Sequence, residues 1–130
     1  MKKALAIPGI VALALAFMLA GCGKTTAPTS TGGGNTVTMG ATTFTQTSLT
    51  VKAGTAVKFD DPAAGGAYHI LCFGTGQKCV ANPDGPAELN TSGGVTFNAG
   101  DSKTYTFDKP GTYTVTCTVH PNMDVTITVQ

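Results

Sequence analysis

Residues 108–129, with the sequence DKPGTYTVTCTVHPNMDVTITV, decide the fold class of this chain. Two runs within this stretch alternate apolar residues with threonine, and the short segment 118–124 separates them. A period of two places successive side chains on opposite faces of a β-strand, so each run predicts a strand with one buried face. The predicted inward residues are Tyr113, Val115 and Cys117 in the first run and Val125, Ile127 and Val129 in the second.

Shorter alternating runs occupy the rest of the chain after residue 35, and turns that contain glycine or proline separate them. We expect strands at 36–39, 49–52, 57–59, 68–73, 95–97 and 103–107, and a loop over 74–94. Many short strands at close turn spacing predict an all-β fold, either a β-sandwich or a small barrel. The segment 108–113 resembles a tyrosine corner, in which the Tyr113 hydroxyl would hold an adjoining loop; the alternative is a plain Pro-Gly turn before a strand.

The N-terminus has the composition of an export signal. Lys2 and Lys3 precede an apolar run over residues 4–20, which is short for a membrane span. The run ends in Leu-Ala-Gly-Cys at 19–22 and resembles a bacterial lipoprotein signal, with Cys22 as the lipid-modified residue. An ordinary secretory signal is the alternative. We therefore expect a signal peptide at 1–21, a flexible linker rich in Thr, Ser, Gly and Pro at 22–35, and one folded domain at 36–130.

These features predict an exported protein that lipid on Cys22 anchors to the cell membrane or the outer membrane, facing the periplasm or the cell exterior. The chain of 130 residues contains 8 lysines, no arginine and 7 acidic residues. Nucleic-acid binding draws on clustered Lys and Arg, so this composition argues against a nucleic-acid partner. We expect a monomer.

The four cysteines have three expected roles. Cys22 belongs to the lipoprotein signal. Cys72 and Cys79 are seven positions apart around a glycine-containing loop, and an oxidising compartment favours a disulfide between them. Pairing of one of them with Cys117, or no pairing, remains open from spacing alone. If Cys72 and Cys79 pair, Cys117 stays a free thiol, which is either an inert buried residue or a metal ligand.

The neighbours of Cys117 favour the metal. After the signal segment the chain has two histidines, His69 and His120, and two methionines, of which Met123 follows His120 by three positions. Two imidazoles, one thiolate and a weak thioether match a trigonal copper site with a long axial Met. Zinc normally takes four strong ligands, for which a thioether is a poor substitute, although Asp124 could offer an oxygen to it. The residues therefore predict one copper ion held by His69, Cys117, His120 and Met123.

The motif Asp108-x-Pro-Gly-x-Tyr113-x-x-x-Cys117-x-x-His120-Pro-x-Met123 resembles the C-terminal signature of the cupredoxins, the group of plastocyanin, amicyanin and pseudoazurin. The two-residue gap between His120 and Met123 is most similar to amicyanin. The segment 49–59 followed by His69 resembles the N-terminal half of the family. The resemblance implies an eight-stranded Greek-key β-sandwich with one type 1 copper, equatorial ligands at His69, Cys117 and His120, and an axial ligand at Met123.

The resemblance also implies a role in electron transfer, in which the protein is not an enzyme. An electron would leave through the edge of His120, where redox donor and acceptor proteins would dock briefly. A copper enzyme would need further histidines, which this chain lacks. Two further roles stay open from the sequence: a copper chaperone or storage lipoprotein, and a structural sandwich without metal.

One position departs from the family pattern. The family usually has Asn directly after the first ligand histidine, where it fastens the two ligand loops together, and this chain has Ile70. We hypothesise that the loop between Cys72 and Cys79 supports the strand of His69 instead.

Overall fold

The computed structural model describes residues 34–130. The predicted signal peptide, Cys22 and all but the last two residues of the predicted linker lie outside the described residues. The described part is all-β, with nine strands and one short 3-10 helix at Ala87–Asn90. In chain order the strands are β1 (Thr36–Thr38), β2 (Ser48–Val51), β3 (Thr55–Asp60), β4 (His69–Thr75), β5 (Lys78–Cys79), β6 (Val95–Phe97), β7 (Ser102–Phe107), β8 (Gly111–Cys117) and β9 (Asp124–Val129).

The strands form two sheets. The smaller sheet has the order β1-β3-β7. The larger sheet has the order β2-β9-β8-β4-β5, and β6 pairs with β4 beside that path. Strand β1 is parallel to β3 and β2 is parallel to β9, whereas the other pairs are antiparallel. Both sheets contribute side chains to one apolar core, so the architecture is the predicted β-sandwich.

The alternation of residues 111–129 becomes the expected pattern of burial, with one informative exception. The predicted inward residues of β8 and β9 are all buried. Threonines on the opposite face are exposed or half-buried, as their polarity predicts, except for Thr116, which is fully buried. Something covers the outer face of the larger sheet at this position.

The loop expected over residues 74–94 is partly wrong. Strand β4 continues through Thr75, a two-residue turn follows, and β5 pairs back on β4 in the register Gly74↔Cys79 and Thr75↔Lys78. Gly76 and Gln77 both have positive φ, 58° and 66°, which matches the twist of a two-residue hairpin turn. The sequence prediction missed this hairpin because its second strand has only two residues and no alternation.

The tyrosine corner is present. The Tyr113 hydroxyl donates to the carbonyl oxygen of Lys109 at 2.7 Å and lies 3.2 Å from that of Asp84. Its ring packs against Phe73 and Phe107 in the core, with ring centroids 5.9 and 5.2 Å away. The residue therefore joins the start of β8 to the loop before the 3-10 helix.

Among residues 34–130, no helix has the length and apolar character needed to cross a membrane.

Candidate metal centre

Two strand ends and the loop between β8 and β9 bring His69, Cys117 and His120 together. His69 is the first residue of β4 and Cys117 is the last residue of β8, and these strands are antiparallel neighbours with Leu71 opposite Cys117. His120 lies in the loop of residues 118–123 between β8 and β9, which we call the ligand loop. Asn122 has a φ of 60° in this loop, a conformation that Asn tolerates and that lets the chain turn tightly into β9.

The donor atoms of these residues form a small triangle. Cys117 Sγ lies 3.8 Å from Nδ1 of His69 and 3.8 Å from Nδ1 of His120, and the two Nδ1 atoms are 3.2 Å apart. Metal–nitrogen bonds of about 2.0 Å and a metal–sulfur bond of about 2.3 Å at trigonal angles separate the donors by roughly 3.5–3.7 Å. The three side chains therefore fit around one ion. Among the described residues this is the one group of His, Cys and acidic side chains with such spacing.

Met123 is the last residue of the ligand loop. Its side chain is buried, with 1% exposure, and its carbonyl oxygen accepts a hydrogen bond from the Cys117 amide at 2.9 Å. This backbone hydrogen bond places Met123 directly beside Cys117 at the end of β8. A buried, unbranched thioether at this place has the chemistry of a weak axial ligand.

His69 faces a buried carboxylate on the side away from the cluster. Its Nε2 lies 3.9 Å from Oδ1 of Asp61, and both side chains are fully buried. Asp61 Oδ1 also accepts from the Ala67 amide at 3.2 Å. Within the described part of the chain, His69 Nε2 and Asp61 Oδ2 have no hydrogen-bond partner. A carboxylate here favours the tautomer with the proton on Nε2, which leaves the Nδ1 lone pair for a metal.

The environment also keeps His69 available as a neutral ligand. Burial lowers the pKa of His69, and the neighbouring His120 lowers it further, whereas the charge of Asp61 and a backbone contact at Gly40 raise it. Because burial is the largest effect, the imidazole stays neutral more readily than an exposed one, and a metal binds the neutral form.

The members of the cluster differ in exposure. His69 and Cys117 are fully buried, whereas His120 is half-buried. Val119 beside it is 39% exposed, Pro121 is exposed, and Tyr68 beside His69 is 50% exposed. The cluster thus reaches the surface at His120, whose neighbours in the chain, Val119 and Pro121, are apolar.

Cys72 and Cys79 form the disulfide that their spacing predicts, with the Cα atoms 5.5 Å apart. Cys117 is the free cysteine among the described residues, so the open possibility of a bond to Cys117 is not realised. At position 70, where the family pattern has Asn, the isoleucine side chain offers no hydrogen bond. Its carbonyl oxygen still accepts from the Thr118 amide at 2.9 Å, which ties β4 to the ligand loop through the backbone.

Sequence reasoning missed Asp61. The residue follows β3 by one position, and Asp before Pro is common in turns, so neither Asp61 nor the adjacent Asp60 stands out in the sequence. Gly66 accompanies it, because a Cβ at position 66 would clash with Asp61 Oδ1 and the Pro62 carbonyl oxygen. A glycine four residues after the Asp-Pro pair is the one weak signal of this close approach.

Comparison with known proteins agrees with this site. Residues 31–130 match the family described as copper binding proteins, plastocyanin/azurin family. The reduced state of an amicyanin variant aligns at 25% identity with a TM-score of 0.56, covering 75% of this chain and 83% of that chain. The reduced Cu(I) form of another amicyanin variant aligns at 24% identity with a TM-score of 0.57, covering 76% and 84%.

Amicyanin from Paracoccus versutus aligns at 22% identity with a TM-score of 0.53, covering 73% of this chain and 79% of that chain. No curated protein sequence matches the chain significantly. The last two structural similarities concern the fold alone. Together with the family match, the cluster of His69, Cys117 and His120 is compatible with one type 1 copper ion.

Proposed function

Since the chain belongs to the plastocyanin/azurin family of copper-binding proteins, we propose that it is a blue copper protein that passes single electrons between redox partners at a membrane. The observation that carries the proposal is the donor triangle of His69, Cys117 and His120. Members of this group of proteins are typically electron carriers. The soft thiolate and the two imidazoles are the donor set expected of such a site, and they are the wrong set for magnesium or calcium.

Copper bound here would supply a centre that gains and loses one electron with little change in its surroundings. His69, Cys117 and His120 would be its equatorial ligands and Met123 its axial ligand. The chain's own part is to hold these side chains still. His69 and Cys117 sit at the ends of paired strands, and the Cys117 amide is hydrogen-bonded to the Met123 carbonyl. Burial of the thiol keeps water from Cys117 and protects it against oxidation.

His120 would be the route of the electron to a partner. Its half-buried ring joins the buried cluster to the surface, where its neighbours in the chain, Val119 and Pro121, are exposed. This small apolar surface suits brief contacts, since redox encounters bury little area and separate quickly. We propose that donor and acceptor both dock there, and that the chain is a carrier with no catalytic activity of its own.

The N-terminus would keep the electron carrier at the membrane. We propose that residues 1–21 are removed, that lipid on Cys22 holds the protein at the membrane, and that residues 22–35 form a tether. The Leu-Ala-Gly-Cys sequence at 19–22 supports this. Cells that express the full chain should incorporate labelled palmitate into it and retain it in the membrane fraction. A Cys22→Ser variant should lose both the label and the retention; a variant that keeps them would refute the lipid anchor.

Electron transfer has its own test. A soluble protein of residues 36–130 loaded with one copper should show a reversible one-electron wave in cyclic voltammetry. The oxidised form should be blue and the reduced form colourless. A Val119→Glu variant changes an exposed residue beside His120 and no ligand. It should keep the blue band and exchange electrons more slowly with an anionic small-molecule oxidant, because like charges repel where the electron would leave. A colourless Cu(I) complex that resists oxidation would instead favour copper storage or delivery.

A further inference from the structure

The hairpin of β4 and β5 covers the outer face of the larger sheet beside the metal centre. By strand register, Cys72 of β4 lies opposite Thr116 of β8, and Thr116 lies opposite Asp124 of β9. Residues that face each other across antiparallel strands share a face of the sheet. These three side chains therefore form a row on the outer face, and the hairpin lies over it. This cover explains why Thr116 is fully buried although its neighbouring threonines on that face are not.

The turn of the hairpin is hydrogen-bonded to the strand ends on both sides of the ligand loop. Towards β9, the Thr75 hydroxyl donates to Asp124 Oδ2 at 2.9 Å, and the Gly76 amide lies 3.3 Å from the same oxygen. Towards β8, the Gln77 amide donates to the Thr116 hydroxyl at 3.1 Å, and the Gln77 side-chain amide donates to the Thr118 carbonyl at 3.1 Å. Thr118 begins the ligand loop and Asp124 follows it, so the turn spans the loop.

The turn itself is constrained. Gly76 and Gln77 adopt the paired left-handed conformation of a tight hairpin. A Cβ at position 74 would clash with the Lys78 carbonyl, so glycine there allows β5 to lie close to β4. The Cys72–Cys79 disulfide closes the same hairpin covalently. A two-residue strand such as β5 has few hydrogen bonds of its own, and the disulfide limits its freedom to separate.

We propose that this hairpin, closed by Cys72–Cys79, is a clamp that positions the ligand loop, with Thr75 and Gln77 as its positioning residues. The inference rests on the proposed function, because the loop it holds carries His120 and ends at Met123. The Ile70 side chain offers the loop no hydrogen bond. Apart from the donor triangle, the side-chain hydrogen bonds that residues 34–130 make from β4 and its turn to the loop and its flanks include those of Thr75 and Gln77. Neither positioning residue touches the donor triangle; they act through Thr116, Thr118 and Asp124.

The test removes the two side-chain hydrogen bonds and keeps the backbone. In a Thr75→Val/Gln77→Gly variant, valine preserves the shape of the exposed threonine and glycine accepts the positive φ of position 77. Thr106→Val is the matched control, because Thr106 is also an exposed strand threonine but lies on β7 in the other sheet. A second variant, Cys72→Ala/Cys79→Ala, opens the hairpin by removing the disulfide.

Two measurements are needed. Hydrogen exchange of the metal-free proteins reports on the loop without copper. The Cys117 and Thr118 amides, which are bonded to Met123 and Ile70, should exchange about tenfold faster in both clamp variants and at the wild-type rate in the control. Copper release to a chelator should also be about tenfold faster in both clamp variants, and the visible and electron paramagnetic resonance spectra should shift towards a less trigonal site.

Wild-type protein that binds copper without a blue band would refute the proposed function, and faster loop exchange in the clamp variants would still support the clamp. A blue wild-type protein whose clamp variants match the Thr106→Val control in exchange, spectrum and copper release would refute the clamp and leave the proposed function standing.

Discussion

Removing the Tyr113 hydroxyl should destabilise the domain without altering the metal centre. Tyr113 is 2% exposed, and its hydroxyl donates to the Lys109 carbonyl at 2.7 Å, with the Asp84 carbonyl at 3.2 Å. A Tyr113→Phe variant keeps the ring contacts in the core and loses only this hydrogen bond. A net hydrogen bond contributes about 1 kcal/mol, and leaving carbonyl groups partly unsatisfied adds to the cost. We expect a loss of about 1–2 kcal/mol.

The assay is urea unfolding of the metal-free domain with its disulfide intact, because bound metal would add its own stabilisation. The midpoint should fall at an unchanged slope, since the exposed area on unfolding is the same. For a domain of about 100 residues the melting temperature should fall by roughly 5–10 °C. Tyr68→Phe is the control, because Tyr68 is 50% exposed, and its effect should stay below about 0.5 kcal/mol. A Tyr113→Phe variant as stable as this control would refute the role of the tyrosine corner.

Three further predictions concern Met123, Tyr105 and Gly66. A Met123→Leu variant should stay blue with a reduction potential higher by roughly 60 mV, the equivalent of a tenfold selective loss of Cu(II) affinity; an unchanged potential by voltammetry would exclude Met123 as the axial ligand. Burial, with a smaller effect of Glu88, raises the pKa of Tyr105 to about 12. Because the unfolded chain loses this proton near pH 10, the free energy of unfolding should fall by about 2 kcal/mol as pH rises from 10 to 12. Urea unfolding of a Tyr105→Phe variant should show a smaller fall over the same range. Gly66→Ala should displace Asp61 and cost about 1–3 kcal/mol in the same assay, whereas Gly93→Ala, with no atom near its Cβ, should cost far less.

The alternating sequence of residues 111–129 was sufficient to predict β8, β9 and the sandwich, because burial of one strand face demands a period of two. The motif around Cys117 likewise predicted which side chains the fold brings together, since the ligand loop is short and its spacing leaves few conformations. His69 was included because it is the one other histidine after the signal segment, since nothing local in the sequence relates it to a residue 48 positions away.

The parts that sequence did not predict depend on contacts between distant segments. The β4–β5 hairpin has a second strand too short for a periodic signal, and its hydrogen bonds to Thr116, Thr118 and Asp124 join positions about 40–50 residues apart. Asp61 is buried against His69 only because β3 and β4 pack in the same core. The spacing of Cys72 and Cys79 predicted the disulfide but not the hydrogen bonds of the hairpin, and Gly66 is only a weak signal of the buried Asp61.

Addition of Cu(II) to the soluble domain tests the central claim most directly. Binding at His69, Cys117 and His120 predicts one copper per chain and an intense thiolate-to-copper band at about 600 nm, which disappears on reduction. A Cys117→Ala variant should lack the band while remaining folded, because the substitution leaves only a small cavity at the end of β8. Absence of the band from the wild-type protein, or its persistence in Cys117→Ala, would contradict the assignment of a blue copper site.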